Sequence, residues 1–164
     1  MMLIVFGLPG TGKSYFSKLL ATELGYEYIS SDETRKKNFA NRNYSDTEKT
    51  DVYHYMLREI SALIQQDRDV IIDGTFYKET IREAFKNLAI ENKQQIKFIE
   101  ITAKENLIKE RVELKRQDSD ADFSVYIKIK KEFEPLLEEH LILTSEKSNI
   151  KEMLAKTNEY LKKI

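Results

Sequence analysis

The chain has no cysteine and no tryptophan, and only two histidines, two prolines and five glycines in 164 residues. Without cysteine, disulfides and thiol chemistry are excluded, and an intracellular, cytoplasmic location is the plain expectation. His54 and His140 stand too far apart in sequence to suggest a metal pair and read as ordinary structural or surface residues. Charge of neither sign dominates, with 27 Lys and Arg against 28 Asp and Glu. No global field therefore draws the protein to nucleic acid or to an anionic membrane. No apolar run approaches the roughly 20 residues that span a bilayer, and no charged leader precedes the first apolar segment. The scarcity of glycine and proline means that connections are short or helical and that no low-complexity linker divides the chain. A single domain over residues 1–164 is expected, and 41 % hydrophobic with 34 % charged residues suits a globular one.

What glycine there is sits mostly in one place. Gly7-Leu8-Pro9-Gly10-Thr11-Gly12-Lys13-Ser14 holds three of the five glycines and fits G-x-x-x-x-G-K-[ST] in full. Glycines let the backbone turn tightly enough to aim successive N–H groups at phosphate oxygens. Lys13 adds a point charge, and the Ser14 hydroxyl is placed to ligate Mg²⁺. The context agrees with the motif. Met2 to Phe6 is an unbroken apolar run that reads as a buried parallel strand. Phe16, Leu19, Leu20 and Leu24 then repeat at helical spacing, so the loop opens a helix whose N-terminus faces the anion. Gly10, Thr11, Gly12, Lys13, Ser14 and Tyr15 form the expected nucleotide-binding set, with ATP and Mg²⁺ as the bound species.

Further along, Tyr26 to Ser30, Val70 to Ile72, Ile96 to Ile101 and Leu141 to Leu143 read as strands, the fourth of the chain less buried because it alternates. Helices are predicted over 32–41, 46–66, around 81–89, 104–116, 123–133 and 150–161. On the second of these, Val52, Tyr55, Met56, Ile60, Leu63 and Ile64 are assigned to one apolar face. Strands alternating with helices imply right-handed crossovers and a five-stranded parallel sheet covered on both faces, a three-layer α/β/α arrangement. In such a sheet the ligand sits beyond the carboxyl ends of the strands. Gly7, Asp32 and Asp73 each follow a strand, so all three should meet at one crevice.

The residues there divide by chemistry. Asp73 closes an apolar strand about 60 residues after the phosphate loop, the place of an acid that holds the hydration shell of Mg²⁺ opposite Ser14, unless it serves only to cap a helix after the strand. Asp32 can orient an acceptor hydroxyl and take its proton, with Glu33 the weaker rival, unless Ser31 or Asp32 serves only as a helix cap. Arg35 shares a helical face with Asp32 and can meet an incoming acceptor. Arg111 and Lys115 are four apart on a charged helix that could close over a triphosphate, or simply face solvent. Thr75, Phe76 and Tyr77 either border the acceptor pocket or join the core.

The phosphate loop, Ser31-Asp32-Glu33-Thr34-Arg35-Lys36, Val70-Ile71-Ile72-Asp73-Gly74-Thr75-Phe76, Arg111, Ser119-Asp120-Ala121-Asp122 and Phe133-Glu134-Pro135 occur in an order that resembles a family of P-loop kinases often labelled as an AAA-type ATPase domain. The kinase domain of polynucleotide 5′-hydroxyl kinases is a close relative. The resemblance runs from about Met1 to Pro135. It implies a nucleoside-monophosphate-kinase-like fold with a helical lid over about 104–122, rather than the two-part body of AAA motors. It also implies ATP cradling by Gly10, Gly12, Lys13 and Ser14, a catalytic acceptor-side Asp32, an acceptor or phosphate contact from Arg35, a magnesium-side Asp73 and a lid arginine at Arg111. Where the family commonly has a second lid arginine, this chain has Lys115, with Arg116 one beyond. A lysine neutralises phosphate without the planar fork of an arginine.

The leading expectation is thus an ATP-dependent kinase with a hydroxyl acceptor, in which Lys13, Asp32, Arg35 and Arg111 carry the transfer. A small acceptor is favoured over a polynucleotide 5′-hydroxyl end, because no basic stripe with interleaved aromatics is present. An ATP-binding switch without an acceptor is the second alternative, but it leaves Asp32 and Arg35 without a task. The absence of an Asn/Thr-Lys-x-Asp segment argues against a GTPase. Replacing Lys13 by Ala is expected to weaken nucleotide binding, measured by titration calorimetry. Unchanged affinity would remove Lys13 from the phosphate site.

Overall fold

The computed structural model describes residues 1–40, 45–113 and 123–162. Five strands, β1 (Met2–Phe6), β2 (Glu27–Ser30), β3 (Val70–Asp73), β4 (Ile96–Thr102) and β5 (Leu141–Thr144), form one sheet in the order β2-β3-β1-β4-β5. Every pairing is parallel. The helices are α1 (Lys13–Leu24), α2 (Ser31–Asn38), α3 (Asp46–Ile64), α4 (Glu79–Glu91), α5 (Glu105–Glu113), α6 (Phe123–Glu132) and α7 (Ile150–Lys162).

The apolar run of β1 is explained by its position. It is the central strand, fully buried, and its residues alternate between two cores. Met2, Ile4 and Phe6 join Ile72, Phe98, the α3 residues Val52, Met56 and Ile60, and Phe85 of α4. Leu3 and Val5 point the other way, into Phe16 and Leu20 of α1, Ile71, Ile99, Ile101 and Met153 of α7. The expected three layers are therefore present. β4 is less buried than β1 and β3, as expected, although it is paired on both sides, by β1 and β5. Lys97 and Glu100 are only half-buried, while Phe98, Ile99 and Ile101 are buried.

The apolar face of α3 also differs by one residue from the sequence pattern. Tyr53, not Tyr55, turns inward, and Tyr55 is 41 % exposed. Tyr53 stacks edge-on against Phe85 and packs against Phe76 at 5.2 Å between ring centres. Its hydroxyl accepts from the Phe76 N–H at 3.4 Å, which ties α3 to the loop after β3. That loop is held from the far side as well. Glu134 Oε2 accepts from the Glu79 N–H at 2.6 Å, capping α4, and the Glu134 N–H donates to the Tyr77 carbonyl at 2.9 Å. Arg82, 1 % exposed, donates to the carbonyls of Phe76 and Pro135. The Phe133-Glu134-Pro135 segment thus clamps the loop that borders the site.

Truncating a core residue tests this packing. Ile72→Ala, at a position with no exposed surface in the larger core, is expected to lower unfolding free energy by about 2–5 kcal/mol, read by urea titration.

Candidate active site

Register brings the site together. Val5 is level with Asp73, and Asp73 with Ser30, so three neighbouring strands end at the same height. The phosphate loop, the start of α2 and the loop after β3 consequently share one rim, as the sequence expectation required.

The phosphate loop is built from close approaches. Gly7, at φ 145°, has the Ile101 carbonyl oxygen 2.3 Å from where a Cβ would stand. Gly10, at φ 79°, has Val112 and Ile108 of α5 at 2.7 and 2.9 Å from such a position. Any side chain at Gly7 would collide with backbone, and one at Gly10 would push α5 off the loop. Thr11 is buried and donates from its hydroxyl to the Leu8 carbonyl at 2.9 Å, bracing the turn. Lys13 reaches the same carbonyl at 3.5 Å.

Asp73 is 2 % exposed. Burial raises its pKa above the ordinary carboxylate value, although the Lys13 charge and the Ser14 and Tyr28 hydroxyls favour the ionised form. The Tyr28 hydroxyl donates to Oδ2 at 2.8 Å. Burial and the Asp73 charge hold the Tyr28 pKa well above its usual value, so it remains a donor. Asp73 Oδ1 has no hydrogen-bond partner among the described residues. A buried, unpartnered carboxylate oxygen beside a hydroxyl and an ammonium group suits a hydrated divalent cation. Ser14 and Asp73 therefore fit the Mg²⁺ role expected of them.

Asp32 lies in the first turn of α2 and lines a cavity of about 90 Å³ with Lys13, Ser14, Arg35 and Asp73. The cap of α2 is Ser30, whose hydroxyl accepts from the Glu33 N–H at 3.3 Å. Asp32 is not occupied by capping. Arg35, 8 % exposed, donates from Nη1 to Asp32 Oδ1 at 3.1 Å, and its Nε lies 3.0 Å from Glu48 Oε1. Glu48 is itself buried. Arg35 thus fixes the carboxylate of Asp32 from below. Glu33 points away from the cavity, exposed, and pairs with Lys18 at 2.8 Å.

The cavity wall includes Thr75 and Tyr77, whereas Phe76 belongs to the core, fully buried against Tyr53 and Phe85. The Phe76 backbone is left-handed, at φ 45°. Sequence reasoning missed Lys49, Tyr53, Val125 and Ile129 in the lining. The last two sit on α6 at the spacing of an ordinary helix face, and nothing in the pattern separates a core stripe from a pocket wall.

A second cavity, of about 370 Å³, opens beside Gly12 and is bounded by Tyr15, Arg111, Ser145, Glu146, Lys147 and Asn149. Arg111 donates from Nη1 to the Thr11 carbonyl at 2.9 Å and from Nη2 to the Glu146 carbonyl at 3.2 Å. It joins α5 to the phosphate loop and to the β5–α7 loop. Asn149 shapes that loop by accepting from the Glu146 N–H and donating to the Thr144 carbonyl, both at 2.8 Å. Lys115, Arg116 and the Ser119–Asp122 segment lie outside the described residues.

A parallel sheet in this order, a phosphate loop after its central strand and a buried acid at the end of β3 define a P-loop kinase fold. A family model described as an AAA domain matches residues 2–136, and the chain belongs to that family. Among solved structures it resembles a protein described as a "putative kinase" from Chloroflexus aurantiacus, with TM-score 0.77 and 19 % identity over 99 % of this chain and 96 % of that one. A gluconokinase from Sinorhizobium meliloti superposes with TM-score 0.72 and 17 % identity, over 98 % of this chain and 94 % of that one. In sequence, a "Putative adenylate kinase" of Thermococcus onnurineus is 35 % identical over 77 residues, which are 45 % of this chain and 40 % of that protein. The chain thus spans about two fifths of the length of that curated relative. Among the described residues no helix is long and apolar enough to cross a membrane.

Asp73 yields a prediction with a definite sign. Its folded pKa lies above its unfolded value, so the unfolded state releases its proton first as pH rises, and the charged group costs stability above the unfolded-state pKa. Asp73→Asn is expected to raise the melting temperature of the ligand-free protein at neutral pH, with the gain shrinking as pH falls through the carboxylate range. The same variant is expected to weaken magnesium-dependent nucleotide binding. A lower melting temperature at neutral pH would show that Asp73 is held by favourable contacts instead.

Proposed function

We propose that the protein is an ATP-dependent phosphotransferase that moves the γ-phosphoryl group of ATP to a hydroxyl on a small acceptor. The observation that carries this reading is the shared cavity in which Asp32 faces Lys13, Ser14 and Asp73. The acceptor oxygen bonds to the γ-phosphorus, the bond from that phosphorus to the β–γ bridging oxygen breaks, and ADP leaves with the electron pair. The hydroxyl proton passes to an Asp32 carboxylate oxygen. Arg35, anchored by Glu48, keeps that carboxylate in one orientation. Lys13 and the loop N–H groups steady the transferring phosphoryl. Mg²⁺, held by Ser14 and through water by Asp73, would neutralise charge on the β- and γ-phosphates when bound. Arg111, Tyr15 and the β5–α7 loop border the space for the base.

The size of the acceptor cavity favours a small molecule over a polynucleotide end. At the liquid volume of about 30 Å³ per water, the cavity's 90 Å³ corresponds to about three waters. The names of the curated relatives favour a second reading, in which the acceptor oxygen belongs to a phosphate, as in an adenylate kinase. Product analysis with labelled ATP and a panel of nucleoside monophosphates, sugars and oligonucleotide ends separates the two. Asp32→Asn is expected to keep ATP affinity while transfer to a hydroxyl falls about 100- to 10,000-fold. Full transfer by that variant would take the base role from Asp32.

A further inference from the structure

Lys49 is the feature of the acceptor cavity that neither nucleotide binding nor proton transfer uses. It sits in the first turn of α3 (N-cap Ser45), where a cation works against the helix dipole. Its side chain is only 16 % exposed, and its ammonium lies 5.9 Å from the Tyr77 ring centre, a cation–π contact that holds it over the cavity wall. Its ion-pair partner, Asp46 at 3.1 Å, has a side chain 94 % exposed. Pairs that face solvent in this way contribute little and exchange readily for a better anion.

The other charges of the cavity are committed. Arg35 lies between Asp32 and Glu48, Lys13 belongs to the phosphate loop, and Asp73 faces Ser14. The cavity that Lys49 lines has aromatic and aliphatic walls as well, from Tyr53, Tyr77, Val125 and Ile129. Such walls lower the local dielectric and strengthen any charge-assisted contact made there. One end of the cavity thus holds a base for a hydroxyl, and the α3 side offers an ammonium group to an anion.

We propose that the acceptor is a small alcohol carrying one anionic group, a carboxylate or a phosphate monoester, and that Lys49 receives that group while Asp32 receives the hydroxyl. This rests on the phosphotransferase reading and narrows it to an acidic substrate class. Bound in this way, the acceptor is fixed at two points, which orients its hydroxyl toward the γ-phosphorus. Lys49 binds the acceptor through its charge, so its removal should raise KM for acidic acceptors more than it lowers kcat.

The test pairs neutral and acidic acceptors: glycerol with glycerate and glycerol phosphate, and glucitol with gluconate and a hexose phosphate. AMP is included to detect transfer onto phosphate. Labelled-ATP transfer is measured with the natural protein, Lys49→Gln and Lys49→Arg, and ADP titration verifies that each variant is folded. The expected result is a preference for at least one acidic member over its neutral partner. In Lys49→Gln that preference should fall about 10- to 100-fold, chiefly through KM, and Lys49→Arg should restore most of it. The carboxylate and phosphate arms show which anion is read. Transfer to neutral alcohols only, or an acid preference that survives Lys49→Gln, overturns the role of Lys49 and leaves the phosphotransferase reading intact. Transfer only to the phosphate of AMP, or ATP hydrolysis with no transfer to any acceptor, overturns both.

Discussion

Two parallel ladders set Val5 level with Asp73 and Asp73 level with Ser30, and everything chemical in this molecule depends on that alignment. A slip of one residue would send every side chain of the moved strand to the opposite face. Asp73 would then leave the rim, and the Tyr28 hydroxyl would lose the carboxylate it now meets at 2.8 Å. The alignment is defended by two cores rather than by the site. Ile4 and Ile72 face one, Leu3 and Ile71 the other, and both must be filled for the strand ends to stay level.

The site itself works against stability. Asp73 is a carboxylate kept where burial disfavours its charge, and one of its oxygens lacks a partner among the described residues. Such a group persists because the structure around it is over-determined. Tyr28 holds one oxygen, and β3 cannot move without breaking its pairing to β1 and β2. Arg35 and Glu48 show a related arrangement: two buried opposite charges hold each other and fix Asp32 at the cavity edge. Buried pairs of this kind add little to stability against apolar alternatives, and their use here is orientation.

Contacts beyond the sheet tie the two cavities to α5 and α6. Ile108 and Val112 of α5 rest where a Cβ at Gly10 would be, and Arg111 reaches from the same helix to Thr11 and Glu146. Helix α5 therefore touches the phosphate loop and the β5–α7 loop at once. At the cavity beside Asp32, Glu134 and Pro135 tie the end of α6 to the loop carrying Thr75 and Tyr77. Val125 and Ile129 of α6 line that cavity directly. Helices α5 and α6 thus each border one of the two cavities.

Much of this was legible in the residues. The phosphate loop announces itself because its glycines answer a local steric demand, and β1 because a strand buried on both faces must be apolar throughout. Asp32 and Asp73 could be placed at one rim because parallel strands end on one side. The inward turn of Tyr53, the burial of Phe76, the pairing of Arg35 with Glu48 and the position of Lys49 were not legible. Each depends on which face of a helix meets a neighbour distant in sequence, and helical periodicity gives that face only to within about one residue. Local backbone chemistry determined where phosphate can bind, whereas the packing of α3 and α6 over the sheet decided what can stand opposite it.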